Sequence, residues 1–290
     1  MHYDVTTAEY LNRGHMACPG CIAALSMRHL LKIAGENTIV VIPASCWSVI
    51  SGAFPTTAIT IPLLHVPFAT AAATASGVKR ALVAQGKKDY NVIAWAGDGG
   101  TFDIGLQGLS GAAERKEDII YICYDNEAYM NTGIQQSSAT PPGAWTTTTP
   151  KGKELILKKK DIIGIVLAHD PAYVATATIA YPEDFYVKIN TALKRRGFRF
   201  LHLLCACPPG WKIDSQDALK VCRSAVESDM FPLVELGDNN KLYRTYKPDK
   251  KIPLSEYFNM QKRFSNISAE NLQIIEEQVE QRNKNICDLI

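Results

Sequence analysis

The sequence predicts a doubly wound α/β fold built on a parallel sheet, and three observations point to it. Short, continuously apolar runs rich in β-branched and aromatic residues recur at 38–44 (TIVVIPA), 91–97 (NVIAWAG), 118–125 (DIIYICYD), 173–180 (YVATATIA) and 197–207 (GFRFLHLLCAC). Helical stretches separate them, so the strands are expected to run parallel with both faces covered. The run at 91–97 ends in Gly97-Asp98-Gly99-Gly100 and opens directly into a helix. In such sheets, ligands sit beyond the carboxyl ends of neighbouring strands.

The elements follow in order. The first strand, 38–44, is closed by Pro43 and small residues. Residues 66–85 (VPFATAAATASGVKRALVAQ) form a helix crowded with alanine, which permits close packing. Residues 102–115 are expected as the helix after the second strand, and 215–227 as a further helix carrying Cys222. The segment 139–160 (ATPPGAWTTTTPKGKELILKKK), rich in Pro and Thr, reads as a long covering loop. Residues 268–285 place Leu272, Ile275 and Val279 at helical spacing among charges, an amphipathic helix for its own domain or for a partner. No polar linker divides the chain. Residues 1–240 are therefore expected as one α/β domain and 241–290 as a C-terminal extension.

Composition removes several classes of function. With 290 residues, 47% of them hydrophobic, the chain has ample material for a core and is not intrinsically disordered. Thirty-one Lys and Arg against 29 Asp and Glu provide no concentrated basic face, so no nucleic acid is expected as a partner. No apolar run approaches the roughly 18 residues of a membrane span. The N-terminal MHYDVTTAEYLNRGH lacks the basic-then-apolar order of a secretory signal. A cytoplasmic protein is expected.

The strand ending at Gly97 and the next, ending at Asp125, deliver Asp98 and Asn126 to one crevice. Backbone N–H groups at a helix N-terminus hold a diphosphate well, and Gly97, Gly99 and Gly100 let the main chain approach. An aspartate in that turn would repel a diphosphate unless a divalent cation lay between them. A carboxylate, an amide oxygen and a backbone carbonyl, completed by phosphate oxygens, make a hard Mg²⁺ site. A dinucleotide site fits less well, because the turn is not GxGxxG and lacks the acidic ribose ligand.

Eight cysteines raise a second question. Cys18-Pro-Gly-Cys21 offers two thiolates from one turn, Cys46 follows the first strand, and Cys207 follows the last. Four thiolates suit a structural Zn²⁺ or a [4Fe–4S] cluster. The wide spacing, with no second CxxC, implies a site assembled on the finished fold and favours the cluster. Cys205, two residues before Cys207, competes for the fourth place. Cys123 and Cys222 read as core, and Cys287 as surface or interface. His65 is a candidate for the diphosphate or a structural residue, and His169 for the substrate or a structural residue. The Lys158–Lys160 run is a solvated face or a meeting point for an acidic partner.

Taken together, HMACPGC (15–21), the Cys46-Trp47-Ser48 turn, GDGGTFDIGLQGLSGAAER, DNEAYMNTG and CPPGW resemble the β subunits of pyruvate:ferredoxin and related 2-oxoacid:ferredoxin oxidoreductases. The resemblance runs from about residue 13 to residue 240 and implies a thiamin-diphosphate-binding fold. It implies Cys18, Cys21, Cys46 and Cys207 as ligands of a [4Fe–4S] cluster, the Cys-Pro position selecting Cys207. It implies Asp98, the Asn126 side chain and the Ala128 carbonyl around Mg²⁺, with Thr132 also at the cofactor. Asn131 would face the reacting carbon. The implied reaction is oxidative decarboxylation of a 2-oxo acid, pyruvate first, to acyl-coenzyme A, with electrons passing through the cluster to ferredoxin. Another 2-oxo acid, another acceptor, a non-redox thiamin-dependent lyase and a zinc-stabilised scaffold are the competing readings. Since the chain holds only the diphosphate-binding half, other subunits must supply the pyrimidine-binding half.

Overall fold

In the computed structural model, residues 6–150, 158–284 and 286–288 are described. Helix α1 (Ile22–Ala34) leads to β1 (Thr38–Pro43), α2 (Cys46–Ser51) and β2 (Leu63–Val66). Helix α3 (Ala71–Ala84) leads to β3 (Asn91–Gly97), and α4 (Leu106–Glu114) to β4 (Ile120–Asp125). Then come α5 (Ile162–Leu167), β5 (Tyr173–Ala177), α6 (Pro182–Lys194), β6 (Arg199–Leu204), α7 (Pro208–Trp211) and α8 (Ala218–Glu227). The last elements are β7 (Val234–Leu236), β8 (Leu242–Arg244), α9 (Leu254–Asn259), α10 (Ala269–Lys284) and β9 (Ile286–Asp288).

The nine strands form one sheet in the order β2-β1-β3-β4-β6-β5-β7-β8-β9. The first six in that order are parallel. Strands β7 and β8 pair antiparallel, and β9 joins β8 in parallel. Alternation along each strand builds two cores. Ile93 and Trp95 of β3, with Ile120, Ile122 and Tyr124 of β4, face one side; Val92, Ala94, Ala96, Tyr121 and Cys123 face the other. Both faces are covered, which explains why these strands read as unbroken apolar runs.

Strand β1 has β2 on one side and β3 on the other, so the chain winds outward from it in both directions. That reversal opens a crevice at the carboxyl ends. Because β1, β3, β4 and β6 lie in a row, the segments leaving them emerge side by side. They carry Cys46, Asp98, Asn126 and Cys207. This arrangement is the element of the fold that positions the site.

All five predicted strands are present: β3 has the expected bounds, and the other four are shorter than their apolar runs. Strand β2 and the three-residue strands β7, β8 and β9 were too short to show alternation. The helix expected over 102–115 starts earlier and differently. Residues Gly99–Asp103 form a turn of π-helix before α4 begins. Gly105 is required there, since a Cβ would lie 2.0 Å from the Gly100 carbonyl oxygen. The amphipathic helix is α10, and it packs on its own domain. Ile275 and Val279 are buried in the same core as Leu201 and Leu203, with Leu272 partly buried against it. The described residues after 240 thus extend the one sheet through β8 and β9. No helix among the described residues is long and apolar enough to cross a membrane.

Candidate coenzyme and thiol site

A cavity of about 150 Å³ opens at the carboxyl ends of β1, β3 and β4. Gly97, Asp98, Gly99, Gly100, Asn126, Ala128, Asn131 and Thr132, all expected from the sequence, line it together with Cys46. Ser45, Phe68, Tyr124, Tyr129 and Met130 complete the wall and were not singled out. Below it, Trp95 stacks on Tyr124 with ring centroids 5.3 Å apart, and Trp47 meets Trp95 edge-on at 5.8 Å. These fully buried aromatics make a stiff floor, the kind of packing that holds a site in place.

Asp98 is buried, and Ser137 donates a hydrogen bond to its Oδ2 at 2.5 Å. Burial, reinforced by the neighbouring Asp125 carboxylate, pushes the Asp98 carboxyl well above its ordinary range. One end of the Asn126 amide lies 3.0 Å from Asp98 Oδ1 and 2.9 Å from the Ala128 carbonyl oxygen. With nitrogen at that end, the amide donates to both. With oxygen there, three oxygens converge with no proton among them, which is a cation's donor set. The hard-oxygen chemistry of these residues fits Mg²⁺, and such a cation would reverse the strain on Asp98.

Gly99 is explained by packing as well as by approach. A Cβ there would lie 2.3 Å from Tyr129 Cε1, and the Tyr129 hydroxyl donates to Asp103 at 2.7 Å. The ring thereby braces the turn. Asn131 and Thr132 are exposed at the mouth, where the Thr132 hydroxyl donates to the Gln135 side-chain oxygen at 2.5 Å.

The sequence did not reveal the charged network behind Asn126. Asp125 Oδ2 receives Lys159 Nζ and His202 Nε2, each at 2.8 Å. Lys159 also reaches Glu127 at 2.8 Å, and Glu127 accepts from Arg263 at 2.6 Å. Burial alone would raise the Asp125 carboxyl, but the Lys159 charge and the His202 hydrogen bond overcome it and hold it low. Arg263 lies 3.8 Å over the Trp211 ring, and Trp211 Nε1 donates to the Asn126 carbonyl at 2.7 Å. Lys159 is therefore not part of a solvated run, and Lys160 pairs with Asp103 at 3.5 Å.

The thiols gather beside the cavity. Cys18 is exposed, Cys21, Cys46 and Cys207 are half-buried, and Cys205 is buried. Burial pushes the Cys46 thiol up to about 12, and Cys21, Cys18 and Asp98 add to it. Burial likewise pushes Cys207 up to about 12; a Gly210 backbone hydrogen bond opposes it, while Cys21, Cys46 and Cys18 raise it further. Cys18, Cys21, Cys46 and Cys207 thus sense one another, whereas buried Cys205 senses first Cys222 and then Cys21. Among the described residues, no three His, Cys, Asp or Glu side chains stand close enough to share a single metal ion. As a donor set, four thiols fit a [4Fe–4S] cluster or a Zn²⁺ ion.

Two glycines shape this corner. Gly20, at φ +72°, would put a Cβ 2.4 Å from the Ser215 carbonyl oxygen, so the Cys18–Cys21 turn docks tightly on the segment before α8. At Gly210 a Cβ would lie 2.2 Å from Met130 Sδ and 3.5 Å from Cys207 Sγ. Met130 therefore reaches from the cavity wall to the fourth thiol.

Both histidine candidates lie outside the cavity wall. His65 sits 3.2 Å from the Gly52 carbonyl oxygen, and His169 lies between Ser110 at 3.1 Å and Glu114 at 3.2 Å. Cys123 and Cys222 are buried, as expected, while the Cys287 side chain lies outside the described residues.

A parallel sheet with a cation-ready Asp and Asn at the diphosphate turn defines a thiamin-binding domain. Residues 44–203 match the family model described as "Thiamine pyrophosphate enzyme, C-terminal TPP binding domain". Within that class, the chain belongs to the β-subunit family of 2-oxoacid:ferredoxin oxidoreductases, the pyruvate synthase type of thiamin-dependent enzyme. It is 49% identical over 276 residues to pyruvate synthase subunit PorB of Methanothermobacter thermautotrophicus, covering 94% of this chain and 95% of that one. It is 46% identical over 282 residues to ketoisovalerate oxidoreductase subunit VorB of Pyrococcus furiosus, covering 93% and 90%. A 2-oxoglutarate:ferredoxin oxidoreductase from Magnetococcus marinus shares the fold, with a TM-score of 0.60 at 20% identity, covering 95% of this chain and 97% of that one.

Proposed function

We propose that this subunit holds thiamin diphosphate through Mg²⁺ and a [4Fe–4S] cluster in adjoining positions. Its reaction is the oxidative decarboxylation of a 2-oxo acid, with pyruvate first, to acyl-coenzyme A and CO₂; ferredoxin takes the electrons. One observation carries this reading: Cys46 and Asp98 line the same cavity. Any group held by Cys46 then lies beside any coenzyme held at Asp98.

When bound, thiamin diphosphate supplies the nucleophilic carbon and the electron sink for decarboxylation. The residues of this chain do the rest. Asp98, the Asn126 amide oxygen and the Ala128 carbonyl would hold Mg²⁺, and the glycine turn at Gly99 and Gly100 would supply backbone N–H groups for the diphosphate. Asn131, at the mouth, donates to the substrate carboxylate or to the oxygen on which charge develops. Met130 and the buried aromatics exclude water between the cavity and the thiols. Cys18, Cys21, Cys46 and Cys207 hold the cluster, with Cys205 kept in the core.

Two variants test the division of labour in enzyme purified without air. Asp98→Ala is expected to abolish thiamin binding and turnover while keeping the brown colour. Cys46→Ser is expected to lose about four irons per protomer relative to wild type. Loss of one zinc instead, or unchanged iron, refutes the cluster assignment. Pyruvate is expected to turn over faster than 2-oxoisovalerate, and the reverse order would reassign the substrate.

A further inference from the structure

We propose that the chain carries a second binding site, for a phosphate monoester, in a basic pocket between the 143–149 loop, Lys212 and residues 262–266. The pocket has a volume of about 260 Å³, larger than the coenzyme cavity, and shares no lining residue with it. The pocket is thus separate from the coenzyme cavity, and only if its ligand is coenzyme A does it rest on the reaction proposed above.

Its lining includes Lys212, Lys262 and Arg263 with Trp145, Thr149 and Asn266, and among the described residues no acidic side chain. Arg263 is already committed to Glu127 and Trp211. The two lysines are not. Among the described residues neither forms an ion pair with a carboxylate. Lys212 instead rests its ammonium 3.2 Å from the centre of the Trp145 ring, a cation–π contact where a counter-ion would otherwise sit. It is held there by a left-handed backbone, φ +54°, at the end of α7. Burial with no compensating carboxylate lowers the Lys212 ammonium below its ordinary value.

Two uncommitted ammonium groups on a concave wall call for a dianion. Carboxylates are matched by the planar guanidinium fork, whereas lysines, as rotatable point charges, suit the tetrahedral oxygens of phosphate. The Asn266 amide lines the same wall as a donor for the remaining oxygens, while the Ser265 hydroxyl donates to the Lys262 carbonyl at 2.7 Å and the Thr149 hydroxyl to the Ala144 carbonyl at 3.4 Å. A volume of about 260 Å³ admits the phosphate, and any larger carrier would extend out of the pocket.

The test uses the assembled enzyme, titrated at constant ionic strength with inorganic phosphate, coenzyme A and 3′-dephospho-coenzyme A. The readouts are calorimetry and tryptophan emission, with Trp145→Phe assigning the optical signal. Lys212→Gln and Lys262→Gln are each expected to weaken phosphate binding about tenfold or more, as loss of one charged hydrogen bond would. Both variants should keep the wild-type thermal midpoint. If coenzyme A weakens in parallel while its 3′-dephospho form does not, the monoester is the coenzyme's own. If only inorganic phosphate weakens, the ligand is a free phosphorylated compound, and the site is likewise upheld. No saturable phosphate binding, or binding unchanged in both lysine variants, overturns the proposal.

Discussion

Lys159 carries the charge balance behind the coenzyme turn. It sits between Asp125 and Glu127, whose side chains are 0% and 3% exposed, and both would otherwise be buried anions with fewer partners. Breaking a buried pair by removing one member is costly, so Lys159→Met is expected to lose about 3 kcal/mol of stability in denaturant unfolding. The same network sets an acid response. Because Asp125 is held below its ordinary carboxyl value of about 3.9, its contribution is complete above that pH and fades as pH falls below it. The stability gap between wild type and Asp125→Asn should therefore shrink below about pH 4. A gap that is constant or widens toward acid would contradict the pairing. At this scale Asp98 and Asn126 were legible because each follows an obvious strand. Lys159 and Arg263 were not, because Glu127, which both engage, is 32 and 136 residues away, and nothing local marks a charge destined for burial.

Elements with a long, single-minded pattern were legible, and brief or strained ones were not. Strand β3 announced itself through seven residues with one polar member, while β2 and β7 to β9 offered three or four residues each. The π-turn at Gly99–Asp103 was hidden because it brings the Gly100 carbonyl close to Gly105, where only a residue without Cβ fits, and no periodicity encodes that approach. Helix α10 was recognised by its stripe, but only the fold decided between its own domain and a partner. Ile275, 1% exposed in the main core, now makes a definite case. Ile275→Ala is expected to cost about 2–5 kcal/mol in unfolding, and a cost below about 0.5 kcal/mol would mean that α10 does not dock there.

At the scale of the whole molecule, the proposed coenzyme site is expected to be half of a site. The coenzyme cavity, about 150 Å³, falls below the roughly 300 Å³ at which pockets begin to enclose a cofactor-sized ligand. This is consistent with the proposal that a second surface closes it. The chain alone is accordingly expected to show no turnover, with activity returning when its partner subunits are added. Activity of the chain by itself would refute the division of the site. The proposed division rests on the family's multi-subunit character and on one α/β unit accounting for most of the described residues. The neighbourhood of Cys46 and Asp98 was readable in outline from their strand ends, but their sharing of one cavity depends on β1 and β3 pairing side by side.

Anomalous diffraction at the iron edge, from crystals of the complex grown without air, tests the central claim most directly. The account predicts an iron peak enclosed by the sulfurs of Cys18, Cys21, Cys46 and Cys207, beside the coenzyme at Asp98. Iron absent from that position, or zinc in its place, would contradict it.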